Sequence, residues 1–217
     1  MYSIELMKKR HSVRQYLNEP IDNDKKEVLN KLIEDINLKQ NTHIQIVYDE
    51  PTAFNSFMAH YGKFENVTNY IALVGKDEEK LGYYGEEIVL KAQEIGLNTC
   101  FVALSYNKNK AKSKISILQN EKLFCVIAIG KGKNHGMPHH SKKREDVLQL
   151  VGEKPSWLDD AITACLLAPT ALNQQKFIIS CNNGNVDVKI KGVGPYTTLD
   201  LGIVKFHLDC IKKANNQ

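Results

Sequence analysis

No run of about eighteen apolar residues occurs in the 217-residue chain, so no helix able to span a bilayer is expected. The opening Met1-Tyr2-Ser3-Ile4-Glu5 lacks a basic segment followed by an apolar one, so a secretory leader is not expected either. Charge of one sign is nearly absent in excess: 29 Lys and Arg against 25 Asp and Glu leave +4. The cations are scattered, and no aromatic residues interleave with a basic stripe, which argues against nucleic acid as a partner. CxxC pairs are missing, and the five cysteines, Cys100, Cys125, Cys165, Cys181 and Cys210, are odd in number. Cys100, Cys125 and Cys165 sit inside apolar runs. They read as small buried hydrophobes of a reducing compartment, the cytoplasm, not as disulfides or zinc ligands. His135, His139 and His140 lie in one loop without a nearby acidic residue or cysteine, and they read as solvated. No catalytic triad or carboxylate pair stands out either.

What is present is ordinary for a globular protein: 42% hydrophobic and 25% charged residues, enough chain for one sizeable core. The expected organisation is a single domain over 1–217, in which blocks 1–150 and 155–217 pack as one unit. Helices are expected over 3–9, capped by Ser3, and from Asp24 with Glu27 in a cap-like pairing. The second helix points Val28, Leu29, Leu32, Ile33 and Ile36 to one side. Further helices are expected over 85–95, stopped by Gly96, from Ser156 to just before Pro169, and over 199–214. Strand patterns cover 43–48, 70–74, 99–104 and 123–129, the last two as apolar runs suited to central strands. Residues 176–180 and 186–190 flank Asn182-Asn183-Gly184-Asn185, a hairpin signal.

Four segments offer chemistry. Arg10-His11-Ser12-Val13-Arg14 closes the first helix with two guanidiniums and a hydroxyl, a set suited to phosphate oxygens, although exposed basic turns share it. Ala168-Pro169-Thr170-Ala171-Leu172-Asn173-Gln174-Gln175 joins a helix to a strand. Its amides either pair with the edge of a heterocycle or satisfy the ends of those elements. Gly96-Leu97-Asn98-Thr99-Cys100-Phe101 is a helix-to-strand join where backbone N–H groups can face a ligand. Ile127-Ala128-Ile129-Gly130-Lys131-Gly132, followed by Ser141-Lys142-Lys143-Arg144, is a glycine strand exit with a basic cluster. That cluster is either a solvated charge run or a second source of cations.

Taken together, these segments resemble the nitroreductase family. That family carries R-x-S-x-R, G-L-G-T-C-W, a strand ending in G-x-P, and A-P-S-x-x-N-x-Q-P-W. Here they stand as R-H-S-V-R, G-L-N-T-C-F, I-A-I-G-K-G and A-P-T-A-L-N-Q-Q-K-F. The likeness spans nearly the whole chain, with residues 19–80 contributing least. The proline-bearing loop comes last here, not early, as in a subgroup of short nitroreductase-like chains. The resemblance implies an α+β fold, with a central, mainly antiparallel sheet between helices in three layers. It implies an FMN cofactor, with NADH or NADPH as hydride donor, and a small electron-poor acceptor, nitroaromatic or quinone-like. It also implies a homodimer, and no membrane partner.

Carried over by position, Arg10, His11, Ser12 and Arg14 would hold the phosphate and ribityl chain, and Lys142, Lys143 or Arg144 would neutralise the phosphate from a second side. Phe101, Val102, Ala103 and Leu104 would pass beside the ring. Pro169, Thr170, Ala171, Leu172 and Asn173 would border it, with Asn173 the foremost side-chain donor. No catalytic side chain is implied, because the flavin carries the chemistry. Lys176-Phe177 in place of proline-tryptophan, Phe101 in place of tryptophan and the missing strand-exit proline alter packing near the ring, not the phosphate contacts. Two other readings remain: an FMN carrier or redox sensor with little turnover, and an interaction module whose motifs match by chance.

Overall fold

The apolar run at 123–129 becomes an inner strand, because only a strand paired on both edges and covered on both faces can bury so many successive apolar side chains. It is β4 (Lys122–Gly130) of a computed structural model that describes residues 2–215. β2 (Tyr70–Gly75) and β3 (Asn98–Val102) flank it, and β1 (Gln45–Val47) pairs on the far side of β2. All three pairings are antiparallel, with Tyr70 opposite Ala128 and Cys100 also opposite Ala128 from the other side. This is the expected antiparallel sheet.

The sheet belongs to one of two compact units into which the chain divides. That unit comprises Lys9–Asp77 and Ile88–Met137. Its core gathers Val13, Tyr16, Phe54, Phe64, Tyr70, Cys100, Val126 and Ala128, all nearly closed to solvent. α2 (Asn23–Gln40) buries Leu29, Ile33 and Ile36, while Val28 is exposed. Its cap is Asp22 rather than Asp24, and the Asp22 side chain makes no capping hydrogen bond. Two short helices gave no periodic signal because five residues are barely more than one turn: α3 (Phe57–Tyr61) and α5 (Lys108–Lys112).

The other unit comprises the described parts of Met1–Lys8, Glu78–Glu87 and Pro138–Gln217. It holds most of α1 (Ile4–Lys9), whose first turn is capped by the Ser3 hydroxyl accepting from Leu6 N–H at 3.2 Å. α4 (Glu78–Glu94) begins two turns before the apolar pattern shows it, because its first turns pack through Leu81 and the glycines Gly82 and Gly85. Only its portion up to Glu87 belongs here. α6 (Arg144–Val147) and β5 (Leu148–Val151) lie between the 123–129 strand and the helix expected from Ser156, where no element was expected. β5 runs parallel to β6 (Phe177–Asn182), which pairs antiparallel with β7 (Asn185–Ile190). The hairpin turn is Asn183-Gly184, both with positive φ (45° and 84°), as a two-residue type I′ turn requires. α7 (Leu158–Leu167) starts after Trp157 rather than at Ser156, with no side-chain capping bond. It ends at Ala168 ahead of Pro169. α8 (Thr197–Asn215) closes the unit. All five cysteines are buried and free.

Candidate flavin site

The basic turn is built first by its backbone. Ser12 forms a parallel bridge with Thr99, and Val13 N–H donates to Thr99 O at 2.9 Å. Glu65 N–H donates to Arg14 O, Tyr16 N–H to Glu65 O, and Leu17 N–H to Lys131 O. Tyr16 is 1% exposed and its hydroxyl donates to Val13 O at 2.7 Å. The same oxygen lies 3.2 Å from Ala128 O on β4. His11 Nδ1–H donates to His135 O at 2.9 Å. The turn is therefore pinned between the starts and ends of β3 and β4, and it cannot swing away as a solvated basic turn would.

Its charges converge on Cys100. Burial pushes the Cys100 thiol up, while the positive charges of Arg14 and Arg10 and the facing Ser12 hydroxyl pull against that rise. Burial likewise raises the Tyr16 phenol well above its ordinary value, with Cys100 adding and Arg14 opposing. Arg10 is almost wholly buried. Arg14 is exposed and makes no ion pair among the described residues. Two guanidiniums and a hydroxyl thus sit around one strand start, with the outer one able to receive an anion.

Three glycines make this closeness possible. A Cβ at Gly130 would lie 2.9 Å from the Tyr16 ring, and one at Gly132 would lie 2.6 Å from Asn98 Oδ1, which accepts from Gly132 N–H. At Gly136, φ is +69° and a Cβ would come within 2.7 Å of His11 Cβ. Phe101 and Val102 lie on β3 beside the turn. Ala103 and Leu104 fall after the strand ends, where Tyr106 N–H turns back to Leu104 O. Leu104 is largely exposed.

In the other unit the 168–175 loop folds around Gln175, which is 1% exposed. Gln175 Oε1 accepts from Lys142 N–H, and its Nε2 donates to His140 O at 2.8 Å and to Asn173 Oδ1 at 2.7 Å. Its N–H donates to Thr170 Oγ1, and its carbonyl accepts from Lys142 Nζ. Asn173 Nδ2 donates to His140 O at 2.7 Å, so the amide expected to face a ring is already tied to the loop. Leu172, Asn173 and Gln175 all have positive φ (52°, 52° and 44°). Such backbone is costly for non-glycine residues and is held here by the surrounding bonds. Asp200 anchors the loop: Oδ1 accepts from Ala171 N–H and Oδ2 from Gln174 Nε2. Burial raises its carboxyl to about 6, against the lowering effect of those two bonds.

The structure thus brings Arg10, His11, Ser12 and Arg14 together with Phe101 and Val102. Separately, it brings Pro169–Asn173 together with Lys142. Arg144 pairs with Asp159, and Lys143 stands exposed before α6. His139, expected in solvent, is half-buried with its Nε2 2.7 Å from Leu166 O. A family model described as "Putative TM nitroreductase" matches residues 3–211. The chain belongs to this nitroreductase family.

Solved structures with the nitroreductase fold agree. A "putative nitroreductase" from Thermotoga maritima superposes with a TM-score of 0.70 at 20% identity, covering 99% of this chain and 85% of its own. A nitroreductase family protein from Streptococcus pneumoniae gives 0.52 at 14%, covering 68% and 99%. A Bacteroides thetaiotaomicron protein described as "Putative NADH dehydrogenase/NAD(P)H nitroreductase" gives 0.52 at 17%, covering 66% and 94%. No curated protein matches the chain. Tyr16, which pins the basic turn, and Asp200, which anchors the 168–175 loop, were not among the candidates of the sequence, while Asn98 and Gln175 stood in the segments singled out there. The signal for Gln175 was present in the loop motif. Asp200 lies on a helix far along the chain, and nothing local marks it.

Proposed function

We propose that the protein is an FMN-dependent oxidoreductase that takes electrons from NADH or NADPH and passes them to a small electron-poor acceptor, nitroaromatic or quinone-like. The observation that supports it most is the pinned Arg10–Ser12–Arg14 turn in a chain of the nitroreductase family. The donor set suits a phosphate monoester: one exposed guanidinium for bidentate contact, one buried charge behind it, and a hydroxyl between. FMN, when bound, supplies the reversible acceptance of a hydride equivalent. The chain's own part is to hold and orient. Arg14 and Ser12 bind the phosphate, Arg10 adds field from below, and the backbone after β3 borders the ring. Residues 169–173 offer the loop that borders it in the family. Their assignment, like that of Lys142, Lys143 and Arg144 to the phosphate, rests on likeness of motif. Proton donors and acceptors in the protein are not needed for hydride transfer itself. We further propose a cytoplasmic homodimer. Among the described residues, no helix is long and apolar enough to cross a membrane.

Titration of the protein with FMN and with riboflavin, which lacks the phosphate, tests the site. FMN is expected to bind at least tenfold more tightly. Arg14→Ala is expected to weaken FMN by about 10–100-fold, the range for a hydrogen bond to a charged group, and to leave riboflavin nearly unchanged. Equal affinity for the two flavins in the wild type would remove the phosphate assignment.

A further inference from the structure

Two segments of the sheet-bearing unit, the residues just before β1 and the stretch between α5 and β4, meet in a second constellation. Ser116 Oγ lies 3.0 Å from His43 Nε2, and His43 Nδ1 lies 2.7 Å from Glu121 Oε2. A carboxylate at Nδ1 fixes the imidazole tautomer with its proton there, which leaves Nε2 free to accept. Both separations fall in the range that nucleophile, base and orienting acid require. The Glu121 carboxylate also accepts from Leu118 N–H at 2.9 Å. Burial alone would raise its pKa, but the bonds from His43 and Leu118 and the charge of Lys76 hold it below its ordinary value.

The serine hydroxyl is not needed to fasten its loop. Gln45 already does so: its Oε1 accepts from Ser116 N–H at 2.9 Å and its Nε2 donates to Ser116 O at 2.8 Å. Ser116 is exposed. Its hydroxyl can also donate to Gln45 Oε1, at 3.3 Å, but the imidazole nitrogen is nearer and more basic. Gln45 lines a cleft of about 450 Å³ open to solvent, whose walls include Ile33, Leu38, Ile44 and Val47. Lys114, two residues before the serine, also lines it.

We propose that Ser116, His43 and Glu121 form a hydrolytic triad for small carboxylic esters whose apolar acyl group seats in this cleft. Ser116 Oγ bonds to the ester carbonyl carbon as its proton passes to His43 Nε2. The alkoxide leaves with that proton as an alcohol. Water then adds to the acyl-serine, giving its proton to His43, and the carboxylic acid departs as Ser116 regains its hydrogen. No flavin takes part, so this activity stands or falls apart from the redox reading.

The test uses the full-length protein, a fluorophosphonate probe and p-nitrophenyl butyrate. The probe is expected to add to Ser116, located by peptide mass spectrometry, and not to add in His43→Ala. Ester turnover is expected to fall at least about 100-fold in Ser116→Ala, the usual scale for such groups, with circular dichroism unchanged. Glu121→Gln is expected to slow acylation about tenfold or more. Absence of probe on Ser116 in the folded wild type, or equal turnover by wild type and Ser116→Ala, would overturn the triad. Should Ser116→Ala fail to fold, the wild-type labelling decides alone.

Discussion

Asp200 is 6% exposed, and its carboxyl is raised to about 6 from an ordinary 3.8. An acid raised on folding binds its proton more tightly in the native state, so stability falls as pH climbs from about 4 to about 6 and is level above. The full effect is on the order of 3 kcal/mol. Asp200→Asn keeps an acceptor for Ala171 N–H and cannot ionise. Urea unfolding at several pH values between 4 and 7 is expected to show the wild type losing stability relative to the variant across that window. Identical profiles would show that the carboxyl does not titrate there. The same residue shows where sequence reading stops. Asn173 was legible as a polar loop residue, but its engagement with His140 was not, because that bond joins positions 33 apart. Tyr16 looked like any aromatic residue after a basic turn. Its role depends on Val13 O and Ala128 O, and only the folded chain brings these to one hydroxyl.

Elements whose signal is local were legible. The apolar run at 123–129 gave the inner strand β4, Asn-Gly gave the hairpin, and Gly96, at φ +77°, ended α4, whereas the run at 99–104, expected as a central strand, forms β3 at the edge of its sheet. Elements held by distant partners were not. β5 is four residues paired in parallel with β6, and no period can show in so short a strand. The start of α4 is a second case. A Cβ at Gly202 of α8 would sit 1.9 Å from Glu79 O, and one at Gly82 would sit 2.0 Å from Leu199 O. The two helices touch backbone to backbone through paired glycines, so their contact leaves no apolar stripe in the sequence. Gly202→Ala must push the helices apart, because a carbonyl oxygen cannot rotate out of the way as a side-chain tip can. The expected cost is about 3 kcal/mol or more, a fall in Tm of roughly 10 °C for a chain of this size. A calorimetric Tm within 2 °C of wild type would contradict the close crossing.

At the scale of the molecule, the family was legible because four motifs, each weak alone, stand in one chain. The division into two units was not. One unit draws residues from three stretches of the sequence, and composition shifts cannot reveal such an assembly. The proposed homodimer predicts a mass by sedimentation of about 49 kDa, twice the 24.6 kDa chain, and a value near 25 kDa would exclude it. Electron transfer from a nicotinamide to bound FMN is the step on which the proposed function depends. Its most direct test is the visible spectrum of the FMN-loaded protein under anaerobic conditions, before and after NADH and then NADPH. The flavin absorption in the blue is expected to bleach with at least one of the two nucleotides. Absorption that persists after both, or a protein that takes up no FMN at all, would contradict the reductase assignment.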